Sequence, residues 1–305
     1  MRPPPAILVL GDMLLDVVVQ GDLSAECEAP GGVEIYAGGS AANFAVGAAG
    51  AGAAVRFVGC VGDDGAGRLL VGELERAGVQ PAVRVIPATP TGSVLVLANV
   101  DGQGGKRMLS DVGASAHLRP ADVDPAWCAE LAAFHLTGYS FLRPGPAPAA
   151  AHALAQVRAA SPTALCSMDP APAHLIRDYG PARFRALLAS SAFDLLLPNL
   201  EEGQLISGEH DPAAIVAALL QMAPLVALKL GPDGCLVAWR DPLSPTPVAS
   251  VHVPAAAGPV VDTTGAGDAF AAGFLVALLQ HRDPRAAAQA GVRAAQAVVG
   301  RRGPR

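Results

Sequence analysis

Short apolar runs ending in Gly, Asp or Asn alternate with Ala-rich stretches of helical length along most of this chain, and no other feature limits its fold as much. Strands that return in parallel need a crossover of a dozen or more residues, so the alternation predicts βαβ units and a sheet covered by helices on both faces. The expected core strands are Ala6 to Leu10, Val55 to Val61, Ala133 to Thr137, Ala164 to Met168, Asp194 to Leu197, Leu225 to Leu230 and Cys235 to Trp239. Helices are expected over Ala41 to Ala49, Arg68 to Ala77, Pro146 to Ala160, Pro181 to Ser190, Pro212 to Met222, Gly267 to Gln280 and Pro284 to Val299. Several of them begin near Pro, which a first helical turn accommodates. The expected class is α/β, a three-layer α/β/α sandwich around a mostly parallel sheet.

Two stretches break the rhythm, Val17 to Tyr36 and Thr91 to Ser110. In the second, Ser93 to Leu97 and Lys106 to Ser110 flank a turn at Asp101-Gly102-Gln103-Gly104-Gly105, the pattern of a hairpin. These inserts read as a small β-sheet projecting from one domain that spans 1–305, a lid; the plain alternative is an edge hairpin of the main sheet.

Composition removes several functions. The 21 basic and 27 acidic side chains leave a net charge of −6, against a nucleic-acid surface, which needs a basic stripe to neutralise phosphates. Mean hydropathy is +0.38. Even so, the run Ala269 to Leu279 is far short of the roughly 20 residues a bilayer requires, and Ala213 to Leu228 is broken by Gln221 and Pro224. No membrane role is expected. Ala6 to Leu10 is too short for the apolar part of a signal peptide. The cysteines, Cys27, Cys60, Cys128, Cys166 and Cys235, are scattered without a C-x-x-C pair, which fits reduced thiols in a cytoplasm.

The chemistry gathers in four segments. Asp262-Thr263-Thr264-Gly265-Ala266-Gly267-Asp268 follows a strand-like Pro259-Val260-Val261 and opens a strongly apolar helix. Glycines at 265 and 267 let backbone N–H groups converge, and a helix N-terminus adds partial positive charge suited to phosphate. A lone Gly-Asp here would be a helix cap; beside a phosphoryl-binding loop, Asp268 can accept the proton of an attacking hydroxyl. In the second segment, Gly38-Gly39-Ser40-Ala41-Ala42-Asn43, a glycine pair and small residues precede a helix, and Ser40 as a cap would account for it equally. Asp12 and Asp16 follow the first strand, where α/β proteins gather ligands, and read either as binders of sugar hydroxyls or as turn caps. Asn199 and Glu202 in Asn199-Leu200-Glu201-Glu202 again stand at a strand end, serving metal and phosphate or merely capping a short helix.

Other templates fail. Gly104-Gly105-Lys106 is followed by Arg107 and is no P-loop, no full G-x-G-x-x-G follows a strand, and neither a G-x-S-x-G elbow nor H-x-x-x-H spacing occurs.

Taken together and in order, the Gly-Gly segment, the Asn-x-x-Glu and the Asp-Thr-Thr-Gly-Ala-Gly-Asp resemble the ribokinase (PfkB) family of carbohydrate kinases. The likeness extends through Val58 to Gly65, Asp169-Pro170-Ala171-Pro172 and Lys229-Leu230-Gly231-Pro232-Asp233-Gly234. It implies a ribokinase-like fold with a β lid and ATP-dependent phosphorylation of a hydroxymethyl group on a small-molecule sugar or nucleoside. Asp268 would be the base, and the amides of Gly265, Ala266 and Gly267 the anion hole. Asn199 and Glu202 would serve the Mg²⁺ and phosphate environment, Glu202 indirectly. Lys229, Gly231 and Gly234 would line the nucleotide, while Asp16, Gly38, Gly39 and Asn43 match positions that touch substrate hydroxyls. Asp262 and Thr264 match positions that help bind a monovalent cation in K⁺-activated members.

Ribokinases proper carry Gly-Gly-Lys-Gly-Ala-Asn, whereas Ser40 and Ala41 stand here, and Leu14 replaces an Asn that binds ribose. A last strand common in relatives is expected to be missing or very short. Tyr36, Phe44, Tyr139 and Phe141 offer a stacking platform, so a nucleoside kinase on the same scaffold is the alternative to a sugar kinase. A silent sugar-binding protein is a third reading, opposed by the intact Asp268. Val94 to Ala98 of the lid offers an apolar edge through which two copies could pair.

Overall fold

The computed structural model describes residues 3–21, 31–98, 106–170, 172–240 and 248–304. The turn expected over 101–105, together with Cys27, Ala171 and Arg305, lies outside the described residues.

In chain order the elements are β1 (Ala6–Leu10), β2 (Leu14–Gly21), β3 (Gly31–Gly38), α1 (Ser40–Gly50), β4 (Ala54–Gly62), α2 (Gly65–Arg76), β5 (Gln80–Ile86), β6 (Thr91–Ala98), β7 (Lys106–Gly113), β8 (Ala133–Thr137), α3 (Gly138–Leu142), α4 (Ala147–Ala160), β9 (Leu165–Asp169), α5 (Ala173–Tyr179), α6 (Pro181–Ser191), β10 (Leu195–Leu196), α7 (Leu200–Ser207), α8 (Pro212–Leu219), β11 (Leu225–Lys229), β12 (Cys235–Arg240), β13 (Val248–Val253), α9 (Ala266–His281) and α10 (Pro284–Val299). Among the described residues, nine strands form one sheet in the order β13-β12-β11-β10-β9-β8-β1-β4-β5. It is parallel from β11 to β5, and β12 and β13 add an antiparallel edge. The βαβ rhythm produces this because apolar strands such as Ala-Ile-Leu-Val-Leu of β1 bury both faces. On one face pack α1, α2, α9 and α10; on the other pack α4 to α8.

Both inserts enter a second sheet of order β3-β2-β6-β7 rather than the main-sheet edge. Its two antiparallel hairpins join through the parallel pair β2 and β6. The apolar stretch Val94 to Ala98 is therefore not an edge, as expected from sequence, but an interior strand. Val94 and Val96 are buried with Leu14, while the edge strands β3 and β7 carry exposed Val33, Ile35, Met108 and Leu109.

Other elements also differ from expectation. The main sheet gains β5 and β13, neither of which is a continuous apolar run. The strand expected over Asp194 to Leu197 shrinks to Leu195–Leu196, although the Asp194 and Leu197 N–H groups still donate to Cys166 O at 2.8 Å and Met168 O at 3.0 Å. Helix α8 stops at Leu219, short of Met222. No described helix is long and apolar enough to cross a membrane. The four cysteines of the described residues are buried free thiols.

Helix α9 carries the candidate base Asp268. Phe270 to Leu278 are all buried, so it runs through the interior instead of presenting one stripe. Small residues let its neighbours approach closely: a Cβ on Gly47 of α1 would lie 3.0 Å from Ala272, and one on Gly273 would lie 2.8 Å from Ala294 of α10. Ser40, Asn43 and Gly47 share one face of α1 at helical spacing. The Gly47–Ala272 contact thus brings Ser40 and Asn43 against the first turn of α9. Beneath α1, the Phe44 ring stacks on His135 at 3.6 Å, and His135 Nδ1 lies 2.9 Å from Ser167 Oγ. Burial pushes the His135 imidazole down to about 3, so it is neutral there.

Candidate active site

The carboxyl ends of β1, β8, β9, β10 and β11 lie side by side, and the functional side chains named from sequence are drawn to that rim. Asp12 follows β1, Tyr139 follows β8, Asp169 ends β9, Asn199 follows β10 and Lys229 ends β11. A single bridge between Asn199 and Lys229 continues the sheet beyond β10. Asp268 faces this rim from the third residue of α9.

Both oxygens of Asp268 are held. Ser40 Oγ donates to Oδ1 at 2.7 Å and Asn43 Nδ2 donates to Oδ2 at 2.9 Å. Burial, with the nearby Asp169 charge adding to it, pushes the Asp268 carboxyl up to about 7 against the opposing effect of those hydrogen bonds and of Lys229. Gly265 caps the helix with φ +77°, a left-handed conformation, and Pro304 packs so closely on it that a side chain has no room. The first turn leaves amides without acceptors in the helix. That of Ala266 turns back to Thr263 O at 3.2 Å, so of the Gly265, Ala266 and Gly267 amides expected to form an anion hole it is already engaged. Lys229 Nζ stands beside them, 3.4 Å from where a Cβ on Gly267 would be.

Lys229 is nearly buried and pairs with Asp169 at 2.7 Å. Burial alone would push its ammonium down, but the carboxylates of Asp169 and Glu202 outweigh that and hold it above its usual range, so it stays charged. In the sequence Asp169 belongs only to the longer Asp169-Pro170-Ala171-Pro172 likeness, and the signal that singles it out is its place at a strand end. Glu202 reciprocates with Asn199 in a capping box. Its Oε2 accepts the Asn199 N–H at 2.9 Å, its Oε1 accepts from Asn199 Nδ2 at 2.7 Å, and Asn199 Oδ1 accepts the Glu202 N–H at 2.9 Å. Burial pushes Glu202 up to about 8. Among the described residues, no group of three His, Cys, Asp or Glu side chains could hold a metal alone.

The glycine pair has a steric cause. A Cβ on Gly38 would collide with the Asp16 carboxylate, and one on Gly39, at φ +93°, would lie 2.7 Å from both the Asp12 carbonyl oxygen and Met13 Cα. Since neither backbone atom can swing away, Gly39→Ala is expected to destabilise the protein by about 2 kcal/mol or more, read as a lowered midpoint in urea; an unchanged midpoint would show that the loop relaxes freely. Asp12 itself is buried, with Oδ2 accepting the Ser40 N–H at 3.2 Å.

Other expected residues are placed differently. Gly231 and Gly234 sit on an exposed turn between β11 and β12, both at positive φ. Asp262 Oδ1 accepts from Thr264 N and Oγ1 at 3.1 and 2.8 Å, and its Oδ2 accepts the Gly303 N–H at 3.3 Å. The segment after α10 thus closes on the loop. Phe44 and Phe141 cannot serve as a stacking platform, because both are buried in the core, and Tyr36 packs its ring against Gly303. Tyr139 is half-buried and lines a pocket beside Asp12.

A family model described as pfkB family carbohydrate kinase matches residues 5–305. The chain is 33% identical over 276 residues to a 2-dehydro-3-deoxygluconokinase of Thermoproteus tenax, covering 88% of this chain and 81% of that one. It is 30% identical over 305 residues to an ATP-dependent ribose-1-phosphate kinase of Halopiger xanaduensis, covering 98% and 93%. The crystal structure of an adenosine kinase from Sinorhizobium meliloti superposes with a TM-score of 0.86 at 25% identity, covering 99% and 95%. The family match over nearly the whole chain, with relatives at 30% identity or more across most of their length, places the chain in the PfkB family of carbohydrate kinases.

Proposed function

We propose that the protein transfers the γ-phosphoryl group of Mg·ATP to a hydroxymethyl group of a sugar, with Asp268 as general base. ATP with Mg²⁺ is the donor expected of this family. The observation that carries the proposal is the position of Asp268: a carboxylate poised near neutrality, at the N-terminus of α9, one residue from an amide beside which Lys229 stands. The hydroxymethyl proton passes to an Asp268 oxygen while its oxygen bonds to the γ-phosphorus. The bond from that phosphorus to the β-phosphate bridging oxygen breaks, and ADP leaves. Charge on the transferred group is met by the amides of Gly265 and Gly267, by the helix dipole and by Lys229.

Both Glu202 oxygens are engaged by Asn199, so a magnesium ion carried by the nucleotide would reach Glu202 through water, which suits an ion that keeps part of its hydration. The exposed turn with Gly231 and Gly234 would lie along the nucleotide. Asp262 and Thr264 would help hold a monovalent cation beside the loop, and no step above runs through it. The four-stranded sheet would act as a lid, because β2 and β3 carry Asp16 and Gly38 to the edge of the rim.

A nucleoside acceptor is the weaker reading, since Phe44 and Phe141 are consumed by the core. ADP release with Mg·ATP across neutral sugars, anionic sugars and nucleosides tests the proposal. Turnover on a sugar is expected; turnover on nucleosides alone would replace the sugar by the nucleoside, and no turnover on any acceptor would overturn the reading.

A further inference from the structure

Next to Asp12 a pocket opens between the start of β2, the end of β7 and α3, and its walls include Asp12, Leu14, Ser115, Tyr139 and Arg143. Arg143 caps the C-terminus of α3, with its guanidinium 5.5 Å from the centre of the Tyr139 ring. It is half-buried, yet among the described residues it has no carboxylate within ion-pair distance. Comparable half-buried arginines do: Arg84 pairs with Asp122 at 2.7 Å and Arg158 with Asp194 at 2.8 Å. The opposite wall supplies a second unmet group. Asp12 is 9% exposed and its Oδ1, buried, has no hydrogen-bond partner.

We propose that this pocket is the distal half of the substrate site and that Arg143 binds an anionic substituent, carboxylate or phosphate, on a sugar whose hydroxyls donate to Asp12. The proposal rests on the reading of Asp268 as the transfer centre. The two ends are joined by one residue: Ser40 gives its N–H to Asp12 and its hydroxyl to Asp268. Tyr139 lies between them, its phenol raised by burial and by the charges of both Asp12 and Asp268. A small sugar placed with its hydroxymethyl group at Asp268 would run past Asp12 and present its far end to Arg143.

The chemistry favours an acid at that end. A planar guanidinium offers a fork of donors that matches carboxylate and phosphate oxygens. A neutral sugar would cover the guanidinium without pairing it, leaving a desolvated charge, whereas an anion removes that cost. Asp12 and Arg143 form no ion pair, and burial raises the Asp12 carboxyl against the opposing Arg143 charge.

The test pairs binding with turnover, using 2-dehydro-3-deoxygluconate as the carboxylate arm, ribose 1-phosphate as the phosphate arm, and fructose, ribose and adenosine as neutral comparisons. One anionic sugar is expected to bind by calorimetry and to be turned over at least 100-fold more efficiently than the neutral compounds, the size of a charge-assisted pair lost in a buried site. Arg143→Met should weaken its binding by roughly 10-fold to 100-fold with thermal melting unchanged, and Arg143→Lys should recover part of the loss. Asp268→Asn should bind it normally without turnover. Equal binding by Arg143→Met, preference for a neutral acceptor, or failure of both anionic sugars to bind would overturn the Arg143 site and leave the kinase reading standing. Arg143-dependent binding of an anionic sugar without turnover would instead keep the site and sink the kinase reading.

Discussion

Asp268→Asn is expected to bind Mg·ATP normally and to lose kcat by on the order of 100-fold to 10,000-fold, the range for removing a general base. The asparagine is isosteric, so Ser40 and Asn43 keep a neighbour of the same shape, but it cannot accept the hydroxymethyl proton. Wild-type activity is expected to fall as pH drops through about 7, because Asp268 acts as a carboxylate and its pKa is raised to that value, first by burial. The variant should have lost that acid limb. Loss of the fold would not mimic this result. A carboxyl raised in the folded state binds a proton there that the unfolded chain has released, so between the ordinary carboxylate range and about pH 7 it makes stability decline with rising pH. Removing the charge relieves that decline, and the variant should be at least as stable as the native protein at pH 8. Near-normal turnover by a well-folded Asp268→Asn would sink the assignment of the base.

The place of Asp268 at the head of α9 was legible in the sequence because its signal is local: two glycines and a carboxylate directly precede an apolar run. The parallel sheet was legible for the same reason, since strands buried on both faces must be apolar throughout. What escaped were elements whose residues do not advertise their surroundings. β5 carries Pro81 and Arg84 at the sheet edge, and β13 alternates exposed and half-buried residues, so neither forms an apolar run. The aromatic platform failed on a related ground, because an aromatic ring at a strand or helix end reads alike whether it lines a cleft or, like Phe44, stacks on a buried histidine. Ion pairs are the hardest case. Asp169 and Lys229 are sixty positions apart, and only the parallel order of β9, β10 and β11 brings their ends together.

That pair supplies the other large effect. Lys229→Met is expected to lower kcat by on the order of 100-fold to 1,000-fold, as loss of a fixed positive charge at a transferring phosphoryl group does. It should also destabilise the fold by about 3 kcal/mol, since Asp169 is left buried and unpaired. The two losses can be separated. Asp169→Asn combined with Lys229→Met removes both charges, so it is expected to regain most of the stability and none of the activity. Asp169→Asn alone keeps the ammonium and should cost less in kcat. It should also move the acid limb of the pH profile downward, because the Asp169 charge is one of the causes holding Asp268 high. Lys229→Met should move that limb upward, since the ammonium favours the ionised base. A double variant that recovers activity along with stability would reduce Lys229 to a structural partner of Asp169. Recovery of stability alone would mean that the fold tolerates losing the pair and that phosphoryl transfer does not.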